Sequence, residues 1–141
     1  MSQEKDSIFW KMQEGKLPPP ASAVLLGARF LDIRPEVGEI EMEFEGKATF
    51  TNPVGNIQGG ILAAMLDETI GPALGAMLEK GEFSPTINLN TQFLNPAKVG
   101  KIYSFGKVEK KGKKVCFVRA ELQQDDKIIA TATASLLIVK I

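Results

Sequence analysis

The feature that most constrains the fold is a long segment, residues 59–80, that is apolar almost all the way around a helix. Its sequence is GGILAAMLDETIGPALGAMLEK, and the main break in the apolar surface is Asp67-Glu68-Thr69. A helix without a polar face has to be surrounded by protein. Its glycines and alanines allow a sheet to approach closely, while Pro72 predicts a kink that leaves the Glu68 carbonyl without its usual donor.

The segments on either side of this helix have the patterns of strands. Before it, strands are expected at residues 23–33 and 39–50, separated by a turn at 35–38. In the second of these, apolar residues alternate with glutamates from Ile40 to Glu45, the period of a strand with one buried face. After the helix, strands are expected at residues 86–95, 101–110, 113–123 and 127–140. This order predicts an α+β fold in which an antiparallel sheet wraps around one long central helix.

The N-terminal part of the chain predicts one additional short helix. Residues 4–14 place several apolar side chains roughly on one side, and Pro18-Pro19-Pro20 then ends the helix. We interpret this helix as packing over the core, with a lid over a pocket as the alternative. The whole chain, residues 1–141, fits a single domain, with residues 1–20 as its N-terminal helix and lead-in.

Composition argues against several classes of function. Seventeen basic residues balance seventeen acidic ones, so no large field of one sign is present to attract nucleic acid. No apolar run approaches the roughly 18 residues of a membrane span, and the acidic N-terminus is unlike a signal peptide. A single cysteine forms no internal disulfide, which suits a reducing compartment. We therefore expect a cytoplasmic protein that binds neither nucleic acid nor membrane.

The chain contains no histidine. That removes Ser-His-Asp and Cys-His nucleophilic pairs, histidine-based zinc sites and any imidazole general base. Cys116 lies in an apolar run, so we expect a buried strand residue rather than a nucleophile. Any chemistry must come from carboxylates, hydroxyls, amides, lysine, arginine or backbone N–H groups.

Two adjacent acids on the apolar helix, Asp67 and Glu68, are candidates for that chemistry. Buried carboxylates are costly, so they mark either a structural pairing or a working site. The two lie about 100° apart around the helix and are not expected to share one face. One is expected to face a site while the other meets a structural partner such as Thr69, Lys98 or a free N–H. The physics of the residues does not decide between them.

The entrance of the same helix carries Gln58-Gly59-Gly60. Helix N-termini present unpaired N–H groups and a positive dipole end, which stabilise anions, including an oxyanion. Glycines there allow a substrate carbonyl to approach the backbone, although a pair of glycines is also typical of a tight turn. Together with Asn52, Asn56 and an acid further along the helix, these residues predict an acyl-transfer site.

The segment from Asn52 to Gly60, followed by Leu66-Asp67, resembles the hotdog-fold acyl-CoA thioesterases of the phenylacetic-acid-pathway (PaaI) type. Their pattern is an Asn, a Gly, then His-Gly-Gly, with an Asp further along the same helix. Residues 86–100 also resemble that family, and the similarity spans roughly residues 23–140. The resemblance implies a homodimer or homotetramer that hydrolyses acyl-CoA to a free acid and CoA. It implies no metal and no cofactor beyond the CoA of the substrate.

The resemblance also implies a role for each matching residue. Asp67 would activate water or attack the thioester directly, and the Gly59 N–H would polarise its carbonyl. Thr86 would hold the water, and Asn52 would orient the thioester. In this fold the site lies across a dimer interface, so Gln58 and Gly59 would come from one chain and Asp67 and Thr86 from the other. We also expect Gly60, Glu68 and Asn88 to contribute to substrate binding.

Gln58 departs from the family pattern, because many relatives have histidine there. An amide donates a hydrogen bond to a carbonyl but does not shuttle a proton near neutral pH. The lack of histidine also argues against the hotdog hydratases and dehydratases, whose mechanism relies on one. Two alternatives to an enzyme are left. One is a non-catalytic acyl-CoA binding or sensing protein, and the other is a scaffold.

Two further groups of residues have both a functional and a structural interpretation. The lysines at Lys98 and along residues 107–114 could meet CoA phosphates, but a solvated charged hairpin is the favoured interpretation. Met65 and Met77 indicate either an apolar acyl pocket or ordinary filling of the core.

Overall fold

The computed structural model describes residues 6–141. The first two residues of the predicted N-terminal helix lie outside that range, and so do the first five residues of the N-terminal segment that is unlike a signal peptide. The helices are α1 Ile8–Gln13, α2 Ala21–Leu25 and α3 Gly59–Gly75, with a 3₁₀ turn at Ala48–Phe50. The strands are β1 Arg29–Arg34, β2 Glu39–Gly46, β3 Glu82–Phe83, β4 Thr86–Phe93, β5 Gly100–Lys111, β6 Val115–Gln124, β7 Lys127–Leu137 and β8 Val139–Lys140.

Six of the strands form one antiparallel sheet in the order β1-β2-β5-β6-β7-β4. The predicted alternation of β2 is confirmed, since Ile40, Met42 and Phe44 are at most 1% exposed. The remaining two strands, β3 and β8, pair with each other as a small separate ribbon. The sheet packs against α3, so the α+β class and the central helix are both confirmed.

The inner face of α3 is a continuous apolar stripe whose members are at most 3% exposed: Leu62, Met65, Leu66, Ile70 and Leu74. Thr69 lies within this stripe, with its Oγ1 2.8 Å from the Met65 carbonyl and 2.8 Å from Ser104 Oγ on β5. A hydroxyl carries one hydrogen and a carbonyl only accepts, so Ser104 donates the second bond. Thr69 therefore joins helix to sheet and is not the partner of Asp67 or Glu68.

The helix ends at Gly75, five residues before the predicted end. The reason lies in α1, which takes up the last carbonyls of α3. Ser7 Oγ donates to the Gly75 carbonyl at 3.3 Å, and the Trp10 indole N–H donates to the Ala76 carbonyl at 3.0 Å. A helix end needs partners for these groups, and here a distant segment supplies them. Pro72 lies within the helix, and the kink it suggests stays a prediction.

The first predicted strand, residues 23–33, is wrong over its first half, which forms α2. That short helix is ended by Gly27, which has φ +63°. The Gly27 N–H donates to the Val24 carbonyl at 3.1 Å and the Ala28 N–H donates to the Ala23 carbonyl at 2.9 Å. This is a Schellman end, in which glycine adopts the left-handed conformation that other residues avoid. Only from Arg29 onward does the chain become a strand.

Helix α1 packs over the core, as the favoured interpretation predicted. Phe9 is 5% exposed and makes an edge-to-face contact with Phe30 at 5.5 Å between ring centroids. Ser7 caps the helix by accepting a hydrogen bond from the Trp10 backbone N–H. Within residues 6–141, no helix is both long and apolar enough to cross a membrane.

Candidate active site

A cleft of about 480 Å³ runs along the outer face of α3, the face turned away from the sheet. Both acids of that helix, Asp67 and Glu68, line it. Its remaining walls come mainly from apolar side chains of α1 and of the chain after α3, including Ile8, Phe9, Met12, Leu78, Phe83 and Pro85. A mostly apolar cleft of this size with a few polar groups is typical of a small-molecule site.

Asp67 and Thr86 meet at one end of this cleft. The Thr86 hydroxyl, at the first residue of β4, donates a hydrogen bond of 2.9 Å to Asp67 Oδ1. Pro85 precedes Thr86 and favours extended backbone on the approach to the strand. The bond fixes the plane of the carboxylate and leaves Oδ2 as an acceptor for a proton. Sequence and structure therefore agree on Asp67 and Thr86 as neighbours.

Glu68 lines the same cleft, although the sequence predicted that the two acids do not share one face of the helix and that only one of them faces a site. The cleft extends around the outer half of the helix, so positions about 100° apart both reach it. Its partner is the Ser22 hydroxyl of α2, which donates to Glu68 Oε1, and neither Thr69 nor Lys98. Both acids are half-buried rather than buried, because the cleft leaves this side of the helix partly open.

At the entrance of α3, Gln58 is the N-cap residue. Its Oε1 accepts a hydrogen bond of 3.1 Å from the Ile61 N–H. A Cβ at position 60 would lie only 2.8 Å from that oxygen, so a larger residue there would displace the Gln58 side chain from this position. The N–H groups of Gly59 and Gly60 have no acceptor among the described residues, so the positive end of the helix presents two free donors.

Asn52 organises the loop before the helix. Its Oδ1 accepts hydrogen bonds of 3.1 Å from the N–H groups of both Val54 and Asn56. The side-chain oxygen is therefore engaged within the loop, and the Nδ2 amide is the group left to meet a ligand. Asn88 lies exposed on β4, the strand that begins with Thr86.

The predicted site residues form two separate groups within one chain. Asp67, Glu68 and Thr86 lie together in the cleft, while Asn52, Gln58, Gly59 and Gly60 surround the start of α3. Gly59 and Asp67 are eight residues apart on one helix, which places them about 12 Å apart along its axis. One thioester carbonyl does not bridge that distance, so the two groups do not act on one carbonyl within a single chain.

The structure decides the two open interpretations of the methionines in favour of core filling. Met65 is 0% exposed, and Met77 packs beside Gly38 and Val108 of the sheet. Cys116 is also 0% exposed, and burial raises the pKa of its thiol, which makes it a poor nucleophile.

The charged groups around the sheet and cleft are mostly engaged in pairs. Lys107 donates to Glu39 at 3.0 Å, and this bond is the main reason that the pKa of Glu39 lies below its ordinary value. In the cleft wall, the backbone N–H of Glu79 donates to Glu82 and lowers the pKa of its carboxyl, with Lys140 contributing. The lysines at the tip of the β5–β6 hairpin are exposed.

Sequence reasoning missed Ser22 and Glu82 as parts of the cleft, and it offered a contribution from α1 only as the alternative of a lid over a pocket. No local pattern marks them, because Ser22 is 46 positions from Glu68 along the chain. Residues 6–141 contain no cluster of three or more His, Cys, Asp or Glu side chains suited to a metal ion.

Comparison with known proteins places this arrangement among thioesterases. The model of the thioesterase superfamily matches residues 54–130, which include both groups of predicted site residues except Asn52. Human acyl-coenzyme A thioesterase 13 is 29% identical over 86 residues, and the match covers 60% of this chain and 61% of that protein. The chain thus matches less than two thirds of the length of that curated relative.

Solved structures extend the similarity to almost the whole chain. The phenylacetic acid degradation-related protein of Ralstonia eutropha JMP134 is 41% identical, with a TM-score of 0.90. The match covers 92% of this chain and 98% of that one. The E. coli PaaI protein of the phenylacetic acid degradation operon has a TM-score of 0.80, covers 93% of each chain and is 19% identical, so it supports the fold alone.

Proposed function

Since this chain belongs to the thioesterase superfamily, we propose that it hydrolyses acyl-CoA thioesters to a free acid and CoA. The hotdog fold and the PaaI-type resemblance predicted from the sequence are both confirmed by those matches. The observation that carries the proposed activity is the Asp67 carboxylate, held by Thr86 at 2.9 Å at the end of an apolar cleft. The cleft would take the acyl group, and the carboxylate would meet the thioester carbon.

In the proposed reaction, Asp67 Oδ2 removes a proton from a water molecule as the water oxygen bonds to the thioester carbon. The tetrahedral intermediate then breaks its carbon–sulfur bond, and the proton passes from Asp67 to the departing CoA sulfur. Thr86 holds Asp67 Oδ1 throughout, and its oxygen lone pairs can accept a hydrogen bond from the same water. Direct attack by Asp67 would instead give an anhydride and release CoA; hydrolysis of that anhydride at the Asp67 carbonyl carbon would leave label on Asp67 after a single turnover in ¹⁸O-water.

The negative charge that develops on the carbonyl oxygen requires a donor. The Gly59 N–H at the start of α3 is free for this role and lies at the positive end of the helix. Gln58 uses its Oε1 as the helix cap, which leaves its Nε2 amide to donate to the thioester. Asn52 Nδ2 and Asn88 are proposed to orient the substrate, with Gly60 allowing its approach.

These donors reach Asp67 if two copies of the chain pair through β4. That strand is an edge of the sheet among the described residues, and its apolar side chains Ile87 and Phe93 are 60% and 52% exposed. Thr86 at one end of β4 contacts Asp67, whereas the Phe93 ring at the other end lies 3.5 Å from the Cβ position of Gly59. Antiparallel pairing of two such edges about a two-fold axis brings opposite ends together.

The proposed dimer therefore places Asp67 and Thr86 of one protomer beside Gln58 and Gly59 of the partner subunit. Pairing would also cover the exposed edge, which sheet proteins otherwise have to protect. Two such sites form for each pair of chains, and a homotetramer would be a dimer of these dimers. A cytoplasmic location stays a prediction from the sequence.

The proposed function is tested by CoA release from short-, medium-, long-chain and aryl acyl-CoAs, run on the wild type and on Asp67→Asn together. Asn keeps the size of the side chain and removes the base, so turnover is expected to fall at least about a hundredfold. Asp126→Asn, the same substitution on the exposed β6–β7 turn outside the cleft, is the matched control, and its turnover should stay within about threefold of the wild type. Binding of acyl-CoA with no release by the wild type would support a sensing protein instead.

A further inference from the structure

The outer face of α3 beyond Asp67 is formed by glycine at successive turns. Gly71 follows Asp67 by one turn and Gly75 follows by a second, and both line the cleft. A Cβ added at Gly71 would meet nothing within 4 Å, so this residue borders open space. A Cβ added at Gly75 would lie 3.4 Å from the Phe9 Cβ, so the cleft is closed there. The cleft therefore has an open middle at position 71 and a floor at position 75.

The floor is held by side chains that come from far along the chain. Phe9 is 5% exposed and fixed by its ring contact with Phe30, while Ser7 and Trp10 donate to the last carbonyls of α3. These contacts hold α1 against the end of α3, both at the start of α1 and in its middle. A wall held in this way gives the cleft a fixed depth, whereas the alternative offered by the sequence was a lid over a pocket.

From Asp67 to Gly75 the helix advances about 12 Å. An extended peptide spans up to about 3.6 Å per residue over three backbone bonds, so an extended acyl chain advances about 1.2 Å per bond. About eight to ten carbons would therefore reach from the thioester carbon to the floor. The cleft volume of about 480 Å³ is adequate for such a chain. Acyl groups longer than this would meet Phe9.

We propose that Gly71 determines the acyl-chain selectivity of this protein by keeping the middle of the cleft open, and that the substrates are medium-chain, uncharged acyl thioesters. This inference rests on the proposed function of the same site. The acidic groups Glu68 and Glu82 at the cleft wall disfavour a carboxylate on the acyl chain. Each methylene added up to about eight to ten carbons should raise kcat/KM about fourfold, after which the gain should stop.

The test is the chain-length profile of Gly71→Leu, with Gly71→Ala as the smaller step. Leucine and alanine both favour a helix more than glycine does, and a Cβ at position 71 meets open space, so both variants should fold. The leucine is expected to move the optimum to acyl groups about three to four carbons shorter. Decanoyl-CoA should lose at least about fiftyfold in kcat/KM, and butyryl-CoA should change less than about twofold. Gly71→Ala should move the optimum by about one carbon.

An unchanged profile in Gly71→Leu would overturn the proposal, and so would a loss of equal size for every substrate. A calorimetric titration with octanamide separates this proposal from the proposed function, because it needs no turnover. The neutral amide avoids repulsion from Asp67 and Glu68. Wild type should bind it at least about tenfold more tightly than Gly71→Leu. Equal binding would refute the role of Gly71 even in an active enzyme, and unequal binding would support it even if no thioester were hydrolysed.

Discussion

Replacing Thr86 by valine removes the hydrogen bond from Thr86 that orients the proposed catalytic carboxylate. Valine keeps the shape and the strand preference of threonine, so β4 should be unaffected. A hydrogen bond to a charged group contributes about 1.5–3 kcal/mol. Thr86 is exposed and Asp67 is half-buried in the single chain, which favours the lower end of that range. A loss of about 1.5 kcal/mol corresponds to roughly a tenfold decrease in kcat/KM.

The assay is steady-state CoA release by Thr86→Val, with Thr86→Ser as the control that restores the hydroxyl. Serine should recover activity to within about threefold of the wild type. The Thr86→Val substitution is then made in the Asp67→Asn variant. Because most of the effect of Thr86 is expected to pass through Asp67, the second substitution should cost clearly less in that background than the tenfold that it costs in the wild type. Unchanged activity in Thr86→Val, or a further tenfold loss in the double variant, would refute this reasoning.

Three further predictions concern stability. Gln58→Ala should lower the free energy of unfolding by about 1 kcal/mol, because the Ile61 N–H loses its acceptor; Gln58→Ser should restore most of it in a urea titration. Asp125 and Asp126 form a two-residue hairpin turn with φ of 52° and 61°, a conformation that glycine adopts more easily than other residues. Asp126→Gly should therefore raise the free energy of unfolding by about 0.5–1 kcal/mol, whereas Asp125→Ala should lower it. The pKa values of Glu39 and Glu82 lie below their ordinary 4.5, so just below that pH the unfolded chain binds more protons. Stability should be fully present above pH 4.5 and fall as pH decreases further, with a shallower fall in Glu82→Gln; a urea midpoint constant from pH 6 to 3 would contradict this.

The parts of the fold that local patterns determine could be predicted from the sequence. The alternation of β2 has one buried face, and the turn at 35–38 lies between β1 and β2. The apolar run after Gln58 could only be a helix inside a sheet. Asp67 could be selected because it is an acid on that helix at the position where relatives carry one.

The predictions that were wrong concern elements whose structure depends on contacts between distant segments. An apolar run from Ala23 to Leu26 fits a helix or a strand equally well, and the Schellman end at Gly27 decides it. The end of α3 at Gly75 depends on donors from Ser7 and Trp10, more than 60 residues earlier. The two acids reach one cleft because α1 and α2 wall the outer face of the helix, which no periodicity in the helix itself indicates.

The most direct test of the account is activity in mixed dimers of two inactive variants. Gly59→Pro removes the proposed oxyanion donor and keeps the helix start, because proline suits the first helical position and Gln58 already has extended backbone. Gly59→Ala, which keeps the N–H, is its control and should stay active. Asp67→Asn is the other variant. When the two are refolded together, half of the dimers are mixed, and each mixed dimer regains one of its two sites.

The account predicts recovery of about a quarter of wild-type CoA release on mixing equal amounts, from two variants that are each nearly inactive alone. That result would mean that Asp67 of one protomer works with Gly59 of the partner subunit. No recovery on mixing, with dimers shown to exchange subunits, would contradict the shared site.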